Sequence, residues 1–259
     1  MIKLNPIQYN KIWGYELWIA STHPNGCQED FKCLTGGDYP LLVKIIQADD
    51  ILSVQVHPND EIAKRLEGPQ VRGKTECWYV LHAEPEAQIV YGLKEDYTDE
   101  QLKNAVNTGT LESLLKFAEV HTGDFIYIPA GTVHAIGGGL RLLEIQQSSD
   151  ITYRLYDWGR GRECHVEKAV MCIRKEPERT ITAFPGWFDC PFFTLKETVI
   201  VKNKTSVTAE GKELFFCISG SGTINNEPFK TEEIAAVKPA ETVTFSGYMR
   251  LMHIVPKKL

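Results

Sequence analysis

The residues of this 259-residue chain best suited to chemistry fall in four short segments. In SVQVHPND, Gln55 and His57 stand two apart, and in KTECWYV the same spacing joins Lys74, Glu76 and Trp78. On a strand every second side chain shares a face, so Gln55 goes with His57 and Lys74 with Glu76. His134 follows the Pro129-Ala130-Gly131 turn of IPAGTVHAI. Two imidazoles, one carboxylate and an amide oxygen make an N/O donor set suited to zinc, iron or manganese. Taken singly, each has a plain structural reading: His57 before a proline as a turn residue, Glu76 as a solvated strand carboxylate, His134 as a loop histidine. A metal site requires that they converge.

The fourth segment, LEIQQSSDITYR, alternates in polarity. Read as one extended strand, it puts Glu144, Gln146, Ser148, Asp150, Thr152 and Arg154 on one face, with Leu143, Ile145, Ile151 and Tyr153 mostly on the other. Such a face meets water or lines a cavity, and His134, upstream in the same run from Gly123 to Arg154, favours the cavity. Asp150 and Arg154, four apart, then look into the same space. The competing reading is an ion pair bracing the sheet, a common and weak feature.

The elements that must position these groups read as mostly strands. Residues 1 to 40 are irregular and aromatic, a wrapping segment containing Trp13 and Trp18. LLVKIIQA and ILSVQVH are adjacent strands, and NDEIAKRLE is a helix capped by Asn59 or Asp60. KTECWYVLH and AQIVYG pair as strands. A helical insert at about 95–118 follows, with one helix capped at Thr98 or Asp99 and a second capped at Thr110, carrying Leu111, Leu114 and Leu115 on a face. DFIYIP is a strand and HVEKAVMCIRK a helix. KEPERTITAFPGW reads as a linker, which places a boundary near 176–184. Beyond it FFTLKETVIV, KTSVTAE, ELFFCISGSGTINN, EIAAVKPAE and TVTFSGYMRLMHIV are short strands at regular intervals, the pattern of a small all-β sandwich or barrel. The glycines at 137–139 and in Ser219-Gly-Ser-Gly222 read as hairpin turns, since no helix with a Lys-Ser/Thr signature follows either.

Composition narrows the partners. A net charge of −6 without any Lys/Arg-rich block argues against a nucleic-acid surface. No apolar run of membrane-spanning length exists, and the amino-terminal stretch lacks a secretory pattern. Seven cysteines, odd in number and without CxxC spacing, read as reduced thiols of a cytoplasmic protein. The expected partner is a small molecule, acting on a monomer or a homodimer.

The run G-x5-P-x-G-x2-H from Gly123 to His134, preceded by Gln55/His57 and Glu76, resembles the paired motifs of the cupin superfamily. More closely, LSVQVHPNDEIAKRLEG, GKTECWYVL, IPAGTVHAI, LEIQQSSDITYRLYDW and HVEKAV together resemble the short bacterial type of class I mannose-6-phosphate isomerase, over about residues 40–175, with Trp13-Gly14 upstream also fitting. The resemblance implies a mainly β fold of two cupin-type (jelly-roll) β-barrels: a metal-binding catalytic domain over 1–178 with the helical insert, and a smaller metal-free domain over 179–259. It implies Gln55, His57, Glu76 and His134 as ligands of one Zn2+ per chain and Asp150 and Arg154 as catalytic; Lys74, which shares a face with Glu76 and so points toward the metal, is read as catalytic beside them, and Lys74, Arg154 and Trp13 as substrate-binding. The implied reaction interconverts mannose 6-phosphate and fructose 6-phosphate, an aldose-ketose isomerisation through a cis-enediol. Two other readings compete: a cupin metal-dependent dioxygenase, with Fe(II) held by two histidines and a carboxylate, and a non-catalytic sugar-phosphate-binding bicupin. His23, His82, His121, His165 and His253 show no ligand-like companions in the sequence.

Overall fold

The computed structural model describes residues 1–174, 181–202 and 204–257. In chain order the elements are β1 (Ile2–Lys3), β2 (Ile7–Lys11), β3 (Gly14–Ala20), α1 (Glu29–Thr35), β4 (Leu41–Ala48), β5 (Val54–Val56), α2 (Asp60–Glu67), β6 (Glu76–Ala83), β7 (Gln88–Leu93), α3 (Asp99–Asn107) and a 3-10 turn (Leu111–Leu114). They continue with β8 (Leu115–Glu119), β9 (Asp124–Ile128), β10 (His134–Ile136), β11 (Leu140–Gln147), β12 (Tyr153–Tyr156) and α4 (Val166–Cys172). The last are β13 (Ile181–Ala183), β14 (Trp187–Asp189), β15 (Phe193–Val201), β16 (Thr205–Thr208), β17 (Glu213–Ile224), β18 (Glu227–Lys230), β19 (Ile234–Val237) and β20 (Thr242–Pro256). The fold is mainly β.

The chain divides into two compact units. One comprises Gln8–Leu17 and Lys44–Ala183. In it a five-stranded sheet, ordered β12-β5-β10-β7-β8, faces the sheet ordered β13-β9-β6-β11-β4-β3-β2. Their facing sides bury one apolar cluster that includes Ile46, Trp78, Val80, Ile126 and Leu142 from the larger sheet and Ile89, Tyr91 and Ile136 from the smaller. The outer side of the five-stranded sheet is apolar too: Val54, Val56, Val90 and Ala135 pack with Leu102, Leu111, Ala169 and Val170 from the helical segments. Both faces of this sheet are therefore covered, which fixes its register and what sits at its ends.

The other unit comprises Met1–Ile7, Trp18–Val43 and Phe184–Leu259. Its sheet runs β1-β19-β17-β20-β15-β14, with β16 on β20 and β18 on β17, around a core that includes Phe215, Phe229, Phe245 and Leu251.

Four expectations change. Residues 1 to 40 are ordered, with three strands and α1, because Trp13 and Trp18 are core residues at 5% and 6% exposure and Ile2 pairs with Ala236. The contiguous division at 178/179 gives way to the interleaved one, since β1 pairs with β19 and β13 pairs with β9. Of the expected linker, residues 175–180 lie outside the described residues. Thr110 caps no α-helix: a single 3-10 turn follows it, its side chain makes no cap bond, and Leu115 opens β8 against Leu93. Ser219-Gly-Ser-Gly222 lies within β17, and the turn comes later, at Asn225 and Asn226, both at positive φ. Elsewhere local signals hold: Asn59 caps α2 by accepting from Ile62 N at 2.8 Å, and Thr98 with Gln101 forms a capping box on α3.

Candidate metal centre

His57, Glu76 and His134 converge, each with a ligand atom within 4.8 Å of the others. Short segments fix them. His134 heads β10 directly opposite Gln55 on β5, so the two side chains share a face. Glu76 opens β6, with Gln146 of β11 and Ile128 of β9 as register partners. His57 follows β5, its carbonyl accepting from Gly131 N at 2.8 Å, and Gly131 sits at φ +92°, where a side chain is strained. The turn before His134 is thereby bonded to the segment that presents His57. Gly73 does the same for Lys74. A Cβ there would lie 2.5 Å from the Asn59 carbonyl carbon, while Lys74 N donates to Pro58 O at 2.9 Å.

The chemistry of the donors suits a cation. His57 Nδ1 donates to Ile151 O at 2.8 Å and His134 Nδ1 to Thr132 O at 2.9 Å, which leaves both Nε2 lone pairs directed at the cluster. Nε2 of His57 lies 3.6 Å from Glu76 Oε2, and Nε2 of His134 lies 3.4 Å from Glu76 Oε1. Burial, reinforced by Lys74 and by His134 itself, holds the His57 pKa well below its ordinary value. Burial likewise lowers His134 to about 4, against the opposing effect of its bond to Thr132. Both rings are neutral at pH 7, the state a metal requires. Glu76 is wholly buried, yet neither of its oxygens makes a hydrogen bond of acceptable angle. Lys74 Nζ, 2.8 Å from Oε2, is its cationic neighbour, and a divalent ion among these three residues would add a ligand bond to a carboxylate that burial otherwise makes costly. Gln55 Nε2 lies 3.3 Å from His134 Nε2, so its amide group reaches the same point, and rotating the amide by half a turn would present its oxygen there.

Around the cluster lies a chain of alternating charges. Lys74 Nζ is 2.8 Å from Glu76 Oε2, 3.2 Å from His57 Nε2 and 4.0 Å from Glu144 Oε1. Glu144 Oε2 accepts from Trp78 Nε1 at 3.1 Å, and Oε1 lies 3.2 Å from Lys44 Nζ. Lys44 in turn lies 3.8 Å from Glu16. Burial opposes the Lys44 charge, but Glu16, Glu144 and Glu76 together outweigh it and raise the pKa. Lys11 lies 3.8 Å from Glu16 as well, so three ammonium groups face three carboxylates, and a divalent cation would make the array positive.

The sequence-derived residues divide. Gln55, His57, Lys74, Glu76 and His134 come together. The stretch from Glu144 to Arg154 is two strands in different sheets, so its six polar residues do not share one face. Glu144 and Gln146 belong to β11, whereas Arg154 belongs to β12, opposite Gln55. Arg154 still shares the Gln55 side, with Nη1 donating to Glu163 O at 2.6 Å and Nε buried without a hydrogen bond. Asp150 is exposed in the connection between the strands, next to Ile151, whose carbonyl accepts the hydrogen bond from His57 Nδ1. Trp13 is a buried core residue whose carbonyl accepts from Asp49 N and Asp50 N.

Lys44 and Glu16 have no place in the sequence-derived site, although a lone lysine inside LLVKIIQA is a legible signal, and Glu144 enters it only as one member of the alternating polar face. His253 also has a companion that spacing hid: its Nε2 lies 2.7 Å from Glu213 Oε2, buried, with Phe215 stacked on the ring at 4.2 Å. This pair lies in the unit built on β17 and β20 and has no third ligand among the described residues.

A family profile described as "Phosphomannose isomerase type I, catalytic domain" matches residues 20–73. Mannose-6-phosphate isomerase ManA of Bacillus subtilis is 45% identical over 172 residues, 63% of this chain and 52% of that protein. Mannose-6-phosphate isomerase of Streptococcus mutans is 39% identical over 216 residues, 73% of this chain and 66% of that protein. The chain belongs to the type I phosphomannose isomerase family. Its match spans about half the length of the first of these relatives and about two thirds of the second. The solved phosphomannose isomerase fold extends over the whole chain: the structure of the Bacillus subtilis mannose 6-phosphate isomerase superposes with a TM-score of 0.84 at 27% identity, covering 98% of each chain.

Proposed function

We propose that this phosphomannose isomerase family member interconverts mannose 6-phosphate and fructose 6-phosphate, with one Zn2+ held by Gln55, His57, Glu76 and His134. The observation that carries the reading is the buried His57/Glu76/His134 cluster with the Lys74 ammonium 2.8 Å from its carboxylate. Zinc follows from the family resemblance and suits two neutral imidazoles, a carboxylate and an amide oxygen. When bound it supplies Lewis-acid polarisation where negative charge develops on the sugar oxygens. We further read each unit as a cupin-type barrel, the chain as cytoplasmic, and the working form as a monomer or homodimer.

The chain's own groups carry the proton movements. Isomerisation takes the C2 proton away, delivers a proton to C1 and moves the O2 hydroxyl proton to O1, so atoms balance without any co-reactant. Lys74, desolvated beside the cluster, is placed to shuttle a proton or to hold the enediolate charge. Arg154, on the Gln55 side with an unpartnered buried Nε, is suited to hold phosphate or enediolate through planar charge-assisted bonds. Asp150, exposed beside Ile151, is suited to proton transfer during ring opening at the mouth.

Fructose 6-phosphate formation from mannose 6-phosphate, followed with and without chelator and with added zinc, tests the reading. Activity lost on chelation, restored by zinc and reduced in Lys74→Ala is expected. Undiminished turnover after complete metal removal would refute the metal role, and bound iron with oxygen consumption would replace the isomerase with a dioxygenase.

A further inference from the structure

Lys44 sits in the middle of β4, whose other residues are apolar except Gln47, and it is 5% exposed. A methionine or leucine there would cost nothing in desolvation, whereas a buried ammonium is stable only when paired. Its partners are Glu16, 13% exposed, at 3.8 Å, which Lys11 also approaches to 3.8 Å, and Glu144, 3% exposed, at 3.2 Å. Glu144 is anchored through its second oxygen by Trp78 Nε1. Lys74 therefore stands between two carboxylates, Glu76 at 2.8 Å and Glu144 at 4.0 Å, and Glu144 is already engaged by Lys44. Without the Lys44 charge, Glu144 would be a desolvated carboxylate whose nearest cation is Lys74. The pull on Lys74 would then run away from the metal cluster.

We propose that Lys44 is a positioning residue: paired with Glu144 and, more distantly, with Glu16, it keeps Glu144 occupied so that the Lys74 ammonium stays on Glu76 at the metal cluster. Lys44 does not touch substrate in this arrangement; it acts through Glu144 on Lys74. The kinetic consequence rests on the isomerase reading, but the placement of Lys74 does not.

The test uses zinc-loaded enzyme carrying Lys44→Met, Glu144→Gln and both together, with Glu16→Gln as a milder variant at a less buried site. A crystal structure of Lys44→Met is expected to show Lys74 Nζ displaced from Glu76 toward Glu144. Lys74 still seated on Glu76 overturns the proposal, whatever the enzyme turns over. In kinetics Lys44→Met is expected to lower kcat roughly 10- to 100-fold, the scale of an ångström-sized misplacement, with KM within about threefold and zinc content unchanged. In the Glu144→Gln background the same change is expected to cost less than about threefold more, because the group it acts through is already neutral. Glu16→Gln is expected to give a smaller loss in kcat alone. A raised KM with kcat intact would make Lys44 a direct substrate contact, and losses that multiply in the double variant would show that it does not work through Glu144; either overturns the proposal.

Discussion

At the level of single residues, the centre is defined by buried groups that face one another. Glu76 is wholly buried, with the Lys74 ammonium 2.8 Å from Oε2, and the two histidines spend Nδ1 on backbone carbonyls, so Nε2 is what each turns to the cluster. Glu76→Gln keeps the shape and removes the charge. We expect zinc affinity to fall at least about 100-fold, beyond the 10- to 100-fold typical of outer-shell changes, as measured by competition with a chromophoric chelator; unchanged affinity would remove Glu76 from the ligand set. The imidazoles also predict a pH dependence of the metal-free protein. In the unfolded chain they titrate near 6.5, whereas folded His134 does so at about 4 and His57 is also lowered well below 6.5. Between those values the unfolded chain binds protons that the folded chain refuses, so their contribution to stability is complete above pH 6.5 and declines as pH falls toward 4. The slope is up to about 1.4 kcal/mol per pH unit for each imidazole. Urea melts of metal-free protein across this range should show the decline, and a His57→Gln/His134→Gln variant should flatten it.

At the level of elements, placement depends on turns that leave no room. Gly73 packs against the Pro58-Asn59-Asp60 backbone, and its N–H donates to Asp60 Oδ1 at 2.7 Å. Gly73→Ala must push apart the segment after His57 and the one that presents Lys74. A loss of about 1–3 kcal/mol is expected from overpacking, with kcat reduced as well, and a variant with native melting and native kcat would contradict this account. Asn59→Ala offers the contrast. It removes the cap of α2, which lies on the outer side of the five-stranded sheet through Ile62 and Leu66. About 1 kcal/mol of stability should go with zinc content retained, as denaturant melts and metal analysis would show.

At the level of the whole molecule, sequence order and spatial grouping part company. Met1–Ile7 and Trp18–Val43 belong with Phe184–Leu259. Leu4 N donates to Ile234 O at 3.0 Å, Tyr39 packs edge-on against Phe31, and the Tyr39 hydroxyl donates to Lys212 O at 3.3 Å. A chain ending at residue 178 keeps every proposed ligand of the candidate metal centre but strips these segments of β17, β19 and β20. We expect that fragment to melt at a lower temperature than the full chain and to bind a hydrophobic dye, and a fragment as stable as the full chain would contradict the interleaved division.

What the sequence determined by itself is whatever a local pattern can encode. Two-residue spacing on short strands marked Gln55, His57 and Glu76, the Pro-Gly turn marked His134, and Asn59 and Thr98 announced their helices, because strand parity and caps depend on near neighbours. The tertiary structure decided everything that depends on where the chain crosses between sheets. The stretch from Glu144 to Arg154 reads as one strand because polarity alternates throughout, yet the chain leaves one sheet after Gln147 and enters the other at Tyr153, so Asp150 falls in an exposed connection. Lys44 passes in the sequence as one residue of an apolar strand, and only Glu16 and Glu144, distant in sequence, reveal its role by supplying counter-charges. His253 showed no companion until β17 and β20 brought Glu213 beside it. Pairing across long sequence separations is set by the summed burial of two sheet faces, and no local spacing records that sum.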